Sequence, residues 1–180
     1  NRMKESTVKK EMTPRERVLT TLNLQEPDRV PVDLAQAGGD GITLKAYENL
    51  LAYLGLPERK IRVGTKSSQT AYVDEDVLRR FGVDFRRLDL GSPNNWKDVP
   101  VGEDGYRDEF GLVRRRPRDG FYYDLVESPM ADMDTVAGID KFSWPNPDDP
   151  GRFRGLRERA EKLHKGTDYA VVLQVNCSFF

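Results

Sequence analysis

The chain has 180 residues, and its 29 lysines and arginines nearly balance its 30 aspartates and glutamates, for a formal net charge of −1. This balance provides no electrostatic field for holding a nucleic acid or an anionic membrane, and no apolar run approaches the roughly 20 residues of a membrane helix. One cysteine and one histidine exclude a disulfide framework and a structural zinc site built from this sequence alone. A charged fraction of 33% is typical of a cytoplasmic protein with a well-solvated surface.

The first element along the chain is a helix that follows a polar leader. Residues 1–12 have no apolar h-region, so they predict a flexible leader and not a secretory signal. Thr13 to Glu16 form a capping box with proline at the first helical position. The apolar residues that follow at helical spacing predict one buried face, formed by Val18, Leu19 and Leu22.

A short strand and a glycine-rich loop come next. Arg29–Leu34 reads RVPVDL, a β-branched run typical of a buried strand, with Pro31 favouring a strand start or a sheet edge. Ala35–Gly41 reads AQAGGDG, which predicts a tight loop where backbone can approach a ligand. Thr43 is then a candidate N-cap for a helix that ends at Gly55, and Tyr47 belongs to its apolar stripe.

A second helix and strand continue the alternation. Asp74 is the predicted cap of a helix carrying Val77, Leu78 and Phe81, and Val83–Leu90 is the predicted strand after it. Strand, helix and strand in succession are typical of a parallel sheet.

Residues Tyr106–Glu127 interrupt this alternation and predict an antiparallel excursion. Its basic run, Arg114 to Arg116, is interpreted as a solvated strand edge that blocks edge-to-edge pairing, in preference to an anion site.

The last segment predicts a long charged helix and a buried strand. Gly151–Lys165 is the helix, with His164 as a favourable charge in its last turn. Asp168–Val175 is a continuous apolar run, typical of a strand buried in a parallel sheet. Because the sequence stops at Phe180, we expect a chain cut in the middle of a barrel, whose last strand leaves an edge that recruits a second copy or the other half.

Four segments resemble the uroporphyrinogen decarboxylase superfamily, and they occur in the family's order. They are Met12–Leu34, Asp74–Leu88, Ser128–Leu163 and Tyr169–Asn176. The resemblance implies an α/β fold: the N-terminal portion of a (β/α)8 TIM barrel with an antiparallel β excursion, spanning residues 13–180 and lacking the C-terminal half.

The resemblance also implies a site at the carboxyl ends of the strands. The decarboxylase carries an RQAGRYLPEY-like loop whose arginines bind propionates; here Gln36, Ala37 and Gly38 match, but Ala35 and Gly39 replace the arginines. The decarboxylase's essential aspartate has Asp89 as its nearest counterpart, which makes Asp89 the candidate catalytic residue. The candidate substrate-binding residues are Asp33, Gln36, Gly38, Gln174 and Asn176. The alternatives are that Asp33 only caps the loop and that Asp89 only pairs with Arg86 or Arg87.

The methyltransferase-like branch of the superfamily resembles the chain better than the decarboxylase does. Its members move a methyl group between a small-molecule donor or acceptor and a corrinoid (methylcobalamin), and several use zinc held by His and Cys. The resemblance places those ligands in the other barrel half, so no metal ligand is assigned here, although Cys177 lies at a strand end. The expected partners are a corrinoid protein or a small-molecule methyl donor or acceptor.

Two alternatives stay open at this point. One is a uroporphyrinogen decarboxylase of porphyrin biosynthesis, which the loss of both arginines disfavours, because a carboxylated tetrapyrrole needs cationic partners. The other is a non-catalytic fragment or binding subunit. With its barrel incomplete, the isolated chain is expected to be inactive.

Overall fold

A computed structural model of the chain describes residues 11–36 and 41–174. The remaining residues include most of the predicted leader. They also include Ala37, Gly38, Gly39, Asn176 and Cys177 of the sequence analysis, which therefore lie outside the described residues. In chain order, the helices are α1 (Pro14–Leu22), α2 (Leu44–Tyr53), α3 (Glu75–Arg80), α4 (Val136–Lys141), α5 (Pro150–Phe153) and α6 (Leu156–Gly166). The strands are β1 (Val63–Thr65), β2 (Thr70–Ala71), β3 (Phe85–Asp89), β4 (Val99–Val101), β5 (Gly105–Arg107), β6 (Val113–Arg115), β7 (Asp124–Glu127) and β8 (Ala170–Gln174).

The chain divides into two compact units. The first unit comprises Asn1–Asp40, Val73–Asp89 and Gly155–Phe180, and the second comprises Gly41–Tyr72 and Leu90–Arg154. Together the described residues form a mixed α/β structure, as predicted, and they do not close a barrel.

The centre of the first unit is a parallel pair of strands. β3 and β8 pair in register, from Phe85 opposite Ala170 to Asp89 opposite Gln174. Helix α1 packs against β8, and α6 packs against both strands. The two parallel strands predicted at Val83–Leu90 and Asp168–Val175 are thus confirmed over Phe85–Asp89 and Ala170–Gln174, and the structure shows them as neighbours.

The prediction of a strand at Arg29–Leu34 is wrong, since this segment forms no ladder of backbone hydrogen bonds with another strand. Pro31 has no N–H to donate. Val32 does reach Asp84, the residue before β3, but only the Val32 carbonyl takes part in a backbone bond, from the Asp84 N–H at 2.9 Å. The Val32 N–H donates instead to the Asp84 carboxylate at 2.7 Å, so a side chain replaces the second bond of the ladder.

Helix α1 confirms the capping box but not the predicted apolar face. The Thr13 side chain accepts from the Glu16 N–H, and the Glu16 side chain accepts from the Thr13 N–H. Val18 is buried, whereas Leu19 and Leu22 are 52% and 71% exposed. The inward position belongs to Arg17, which is buried because its guanidinium meets carboxylates inside the unit.

The long helix predicted at Gly151–Lys165 is two helices. Gly155 adopts a left-handed conformation with φ of 64° between α5 and α6, and this position interrupts the helical hydrogen bonds. His164 lies in the last turn of α6, as predicted.

Two further predicted helices are confirmed. Thr43 caps α2 by accepting from the Ala46 N–H, and Tyr47 is fully buried. Asp74 occupies the N-cap position of α3, although its side chain makes no capping bond there. Val77 and Leu78 of α3 are buried as predicted, whereas Phe81 is 45% exposed.

The second unit contains the predicted antiparallel excursion. Strands β4 to β7 form a sheet in that order, which extends the prediction by one strand at Val99–Val101. The basic run is not at an edge, because β6 lies between β5 and β7. Arg115 instead pairs with Asp104 at 2.9 Å, and Arg114 approaches Asp108 at 3.9 Å.

Tyr106 is the buried aromatic of this sheet. The ring of Tyr123 meets it edge-on at 5.1 Å, and Lys66 Nζ lies 3.6 Å from its centroid. Burial raises the pKa of the Tyr106 hydroxyl and, nearby, that of the Asp108 carboxyl.

Candidate functional site

Polar side chains meet at the carboxyl ends of the parallel strands in the first unit. Asp89 and Gln174 are the last register partners of β3 and β8. Partners on neighbouring strands project to the same face of a sheet, so these two side chains lie side by side. This is the edge at which the sequence analysis places a site.

Gln36 links the preceding loop to β3. Its side chain is 1% exposed and bonds two backbone groups: Nε2 donates to the Leu34 carbonyl at 3.0 Å, and Oε1 accepts from the Arg87 N–H at 3.2 Å. The side-chain amide of Gln36 therefore links the loop to the strand through one hydrogen bond to each. Its contribution to a site is to fix the position of the backbone around it.

Asp33 caps the same loop. Its Oδ1 accepts from the Gln36 N–H at 2.9 Å, which matches the loop-capping role considered for it alongside substrate binding.

Ala35 holds this loop in an unusual conformation. It is buried and has φ of 59°, a left-handed conformation that alanine rarely adopts. Its carbonyl accepts from Arg87 Nη1 at 3.2 Å. A non-glycine residue in this region costs free energy that the surrounding bonds must offset, and such positions concentrate at functional sites.

Arg87 connects the residues of the site, and of the two arginines considered as partners for Asp89 it is the one that pairs with it, whereas Arg86 pairs with Glu75. Arg87 Nε donates to Asp89 Oδ1 at 2.9 Å, and its Nη2 donates to the same oxygen. The Arg87 side chain is 7% exposed and that of Asp89 is 34% exposed. The two-residue spacing on a strand places both side chains on one face, which is a signal that the sequence did contain.

Gln174 contributes an unusual feature to the strand end. Its Oε1 is buried and has no hydrogen-bond partner within the described part of the chain. Buried amide oxygens nearly always accept a hydrogen bond, so this atom points to a donor that is not among the described groups.

Within residues 11–36 and 41–174, no group of three His, Cys, Asp or Glu side chains could hold a metal ion. No helix in those ranges is long and apolar enough to cross a membrane.

Comparison of the chain with protein-family models, with curated proteins and with solved structures finds no match.

Proposed function

We propose that the chain is part of a cytoplasmic methyltransferase-like protein of the uroporphyrinogen decarboxylase superfamily, which moves a methyl group to or from a corrinoid when its βα barrel is complete. The observation that carries the proposal is the in-register parallel pair of β3 and β8, with Asp89 and Gln174 side by side at its carboxyl end. Enzymes built on βα barrels place their reacting groups at that end of the strands.

The charges at the strand end favour a neutral ligand over a polycarboxylate. Two arginines reach Asp89: the guanidinium of Arg87 already donates to its side chain and to the Ala35 carbonyl, and that of Arg159 donates to its main-chain carbonyl at 3.0 Å. A substrate with many carboxylates would need bidentate cations directed toward it. This supports methyl transfer over uroporphyrinogen decarboxylation.

Each residue of the cluster has a defined part in this proposal. Arg87 holds Asp89 in one orientation, and Gln36 and Ala35 hold Arg87. Asp89 then presents a fixed hydrogen-bond acceptor to a bound molecule. A bound corrinoid would supply the cobalt that carries the methyl group, and the acceptor atoms at the strand end fit the amide donors at its rim.

Zinc is a different case from the corrinoid. Because the described residues hold no set of three suitable ligands, they do not fit zinc, and no step through zinc is assigned to them.

A binding subunit without catalysis of its own is the second candidate. It is favoured by the sheet of the first unit, where the described strands form one parallel pair instead of eight strands. Under this proposal the chain holds its ligand and a partner, either a second copy or the other barrel half, completes the site.

The experiment is a visible-absorption titration of the full chain with aquacobalamin. We expect a saturable spectral change that Arg87→Gln weakens, because the variant releases Asp89, while Arg115→Gln in the other unit leaves it unchanged. Circular dichroism of each variant checks that it folds. No spectral change at any chain concentration, or turnover of uroporphyrinogen by the purified chain, would contradict the proposal.

A further inference from the structure

We propose that Asp89 and Gln174 bind a primary carboxamide group of the ligand, through two hydrogen bonds from its NH2 group. Only the identification of that ligand as a corrinoid rests on the proposed function above.

The positions of the two side chains are set by the sheet. Asp89 and Gln174 are register partners on adjacent parallel strands. Adjacent strands lie about 4.7–4.9 Å apart, and side chains of partner residues start from the same face at this separation.

Both side chains present an acceptor oxygen there. Asp89 Oδ1 receives both donors of Arg87, whereas Oδ2 receives no donor from any side chain in the described ranges. Gln174 Oε1 is buried, and within the same ranges it has no partner. An acceptor without a donor is costly when it is buried, so Gln174 Oε1 favours a ligand that donates to it, and the Asp89 side chain, which is 34% exposed, offers the second acceptor.

The geometry of an amide NH2 group fits two acceptors at this separation. Its two N–H bonds diverge by about 120°, and each acceptor lies about 2.9 Å from the nitrogen. The two acceptors of one NH2 group are therefore about 5 Å apart, close to the spacing of the strands.

Charge distinguishes a carboxamide from a carboxylate and from an ammonium group as the group bound at this position. A carboxylate has no donor and would meet the negative Asp89. The two nearby guanidinium groups are already bonded, that of Arg87 to Asp89 and Ala35 and that of Arg159 to the Asp89 carbonyl. An ammonium group has the donors, but the charge of Asp89 is offset by Arg87, so burial of an extra cation is not compensated. A corrinoid carries several primary carboxamides around its ring, which makes it a ligand of the required chemistry.

The direct test uses small probes on the full chain with 15N-labelled glutamine. Propionamide, propionate and propylamine are titrated at equal concentrations, and the side-chain NH2 signal of Gln174 is followed by NMR. We expect propionamide to shift this signal and the other two probes to leave it in place. An equal shift with propionate, or no shift with propionamide, overturns the inference, and this comparison needs no variant.

A corrinoid comparison distinguishes this inference from the proposed function. Cobinamide and cobyrinic acid share one ring but carry carboxamides and carboxylates, respectively. Two hydrogen bonds of ordinary strength predict that the chain binds cobinamide about tenfold more tightly. Gln174→Met, which keeps the size of the side chain, should lose that preference, and Leu173→Ala on the opposite face should keep it.

The outcomes separate the two ideas. If both corrinoids bind equally and Gln174→Met changes nothing, the carboxamide site is wrong and corrinoid binding stands. If neither corrinoid binds but propionamide shifts the Gln174 signal, the carboxamide site stands and the proposed function is wrong.

Discussion

Arg17 Nη1 lies 2.5 Å from Asp84 Oδ1, and the exposed fractions of the two side chains are 3% and 0%. The same carboxylate accepts from Arg29 at 2.7 Å and from the Val32 N–H at 2.7 Å. Asp84 immediately precedes β3, so one buried carboxylate ties α1 and the segment before the site loop to the strand that carries Arg87 and Asp89.

Replacing this carboxylate should therefore destabilise the first unit. We expect Asp84→Asn to lower the free energy of unfolding by about 1.5–3 kcal/mol, because the buried hydrogen bonds from Arg17, Arg29 and Val32 lose their charged acceptor, while Arg17 keeps its pair with Asp28. As a control, Arg157→Ala removes an exposed ion pair with Glu161 in α6, and it should change the free energy of unfolding by less than about 1 kcal/mol. Urea unfolding monitored by circular dichroism measures both, and equal effects would show that the Asp84 network contributes no more than a surface pair.

The pH dependence of stability should report Asp28. The hydrogen bonds from Arg17 hold the pKa of the Asp28 carboxyl well below its usual range, and backbone donors from Met12 and Arg29 lower it further. A carboxyl whose pKa is lower in the folded state stabilises the fold above the unfolded pKa of about 3.9, and this contribution declines as the pH falls toward the folded value.

The wild-type chain should accordingly be more stable than Asp28→Asn at pH 6, and the difference should shrink steadily below pH 4. Urea midpoints at pH 6, 4 and 3 measure it. A difference that stays constant over this range would mean that the charge of Asp28 plays no part in the stability.

Ala35→Gly should stabilise the chain or leave it unchanged. Glycine adopts a φ of 59° without strain, and this gain offsets the greater freedom of glycine in the unfolded chain. The matched control is Ala46→Gly inside α2, which should lose about 1 kcal/mol because glycine is a poor helix former. Thermal unfolding compares the two, and an equal loss at both positions would contradict a strained Ala35.

The isolated chain should self-associate through β8. Strand β8 pairs with β3 along one of its edges. Along its opposite edge, alternate residues of β8 direct their backbone N–H and C=O groups outward, and no strand of the described part of the chain pairs with them. Leu173 is 43% exposed on this strand, and exposed apolar edges recruit partners. We expect light scattering to show mass growing with concentration, less so for Leu173→Lys. A monodisperse monomer over the whole dilution series would refute this expectation.

Much of the local structure could be predicted from the sequence, because short-range chemistry determines it. The capping box at Thr13, the N-cap at Thr43 and the strand at Val83–Leu90 each depend on neighbouring residues, and each is present. The errors arise where distant groups decide the outcome. Arg17 points inward because it pairs with Asp84. That partner lies 67 positions away in the sequence, so the helical periodicity around Arg17 gives no sign of it.

The same distinction applies to the site. Because parallel strands end at the same edge of a sheet, the sequence predicted Asp89 and Gln174 at one edge, and they lie there as register partners. The role of Gln36 in linking the loop to β3 could not be predicted, since it depends on a hydrogen bond from the backbone N–H of Arg87, 51 positions away. The strain at Ala35 likewise depends on a backbone conformation that an alanine in a sequence does not signal.

The central claim is that a corrinoid binds at the carboxyl end of β3 and β8, and paramagnetic NMR of the chain with cob(II)alamin tests it most directly. The two ends of β3 are about 13 Å apart, and the broadening of amide signals by unpaired spin falls steeply with distance. With diamagnetic aquacobalamin as the reference, we expect the amide signals of Gln36, Asp89 and Gln174 to broaden and those of Phe85 and Ala170 to persist. Broadening centred on Phe85 and Ala170 or on strands β4 to β7, or no broadening at all, would contradict the account.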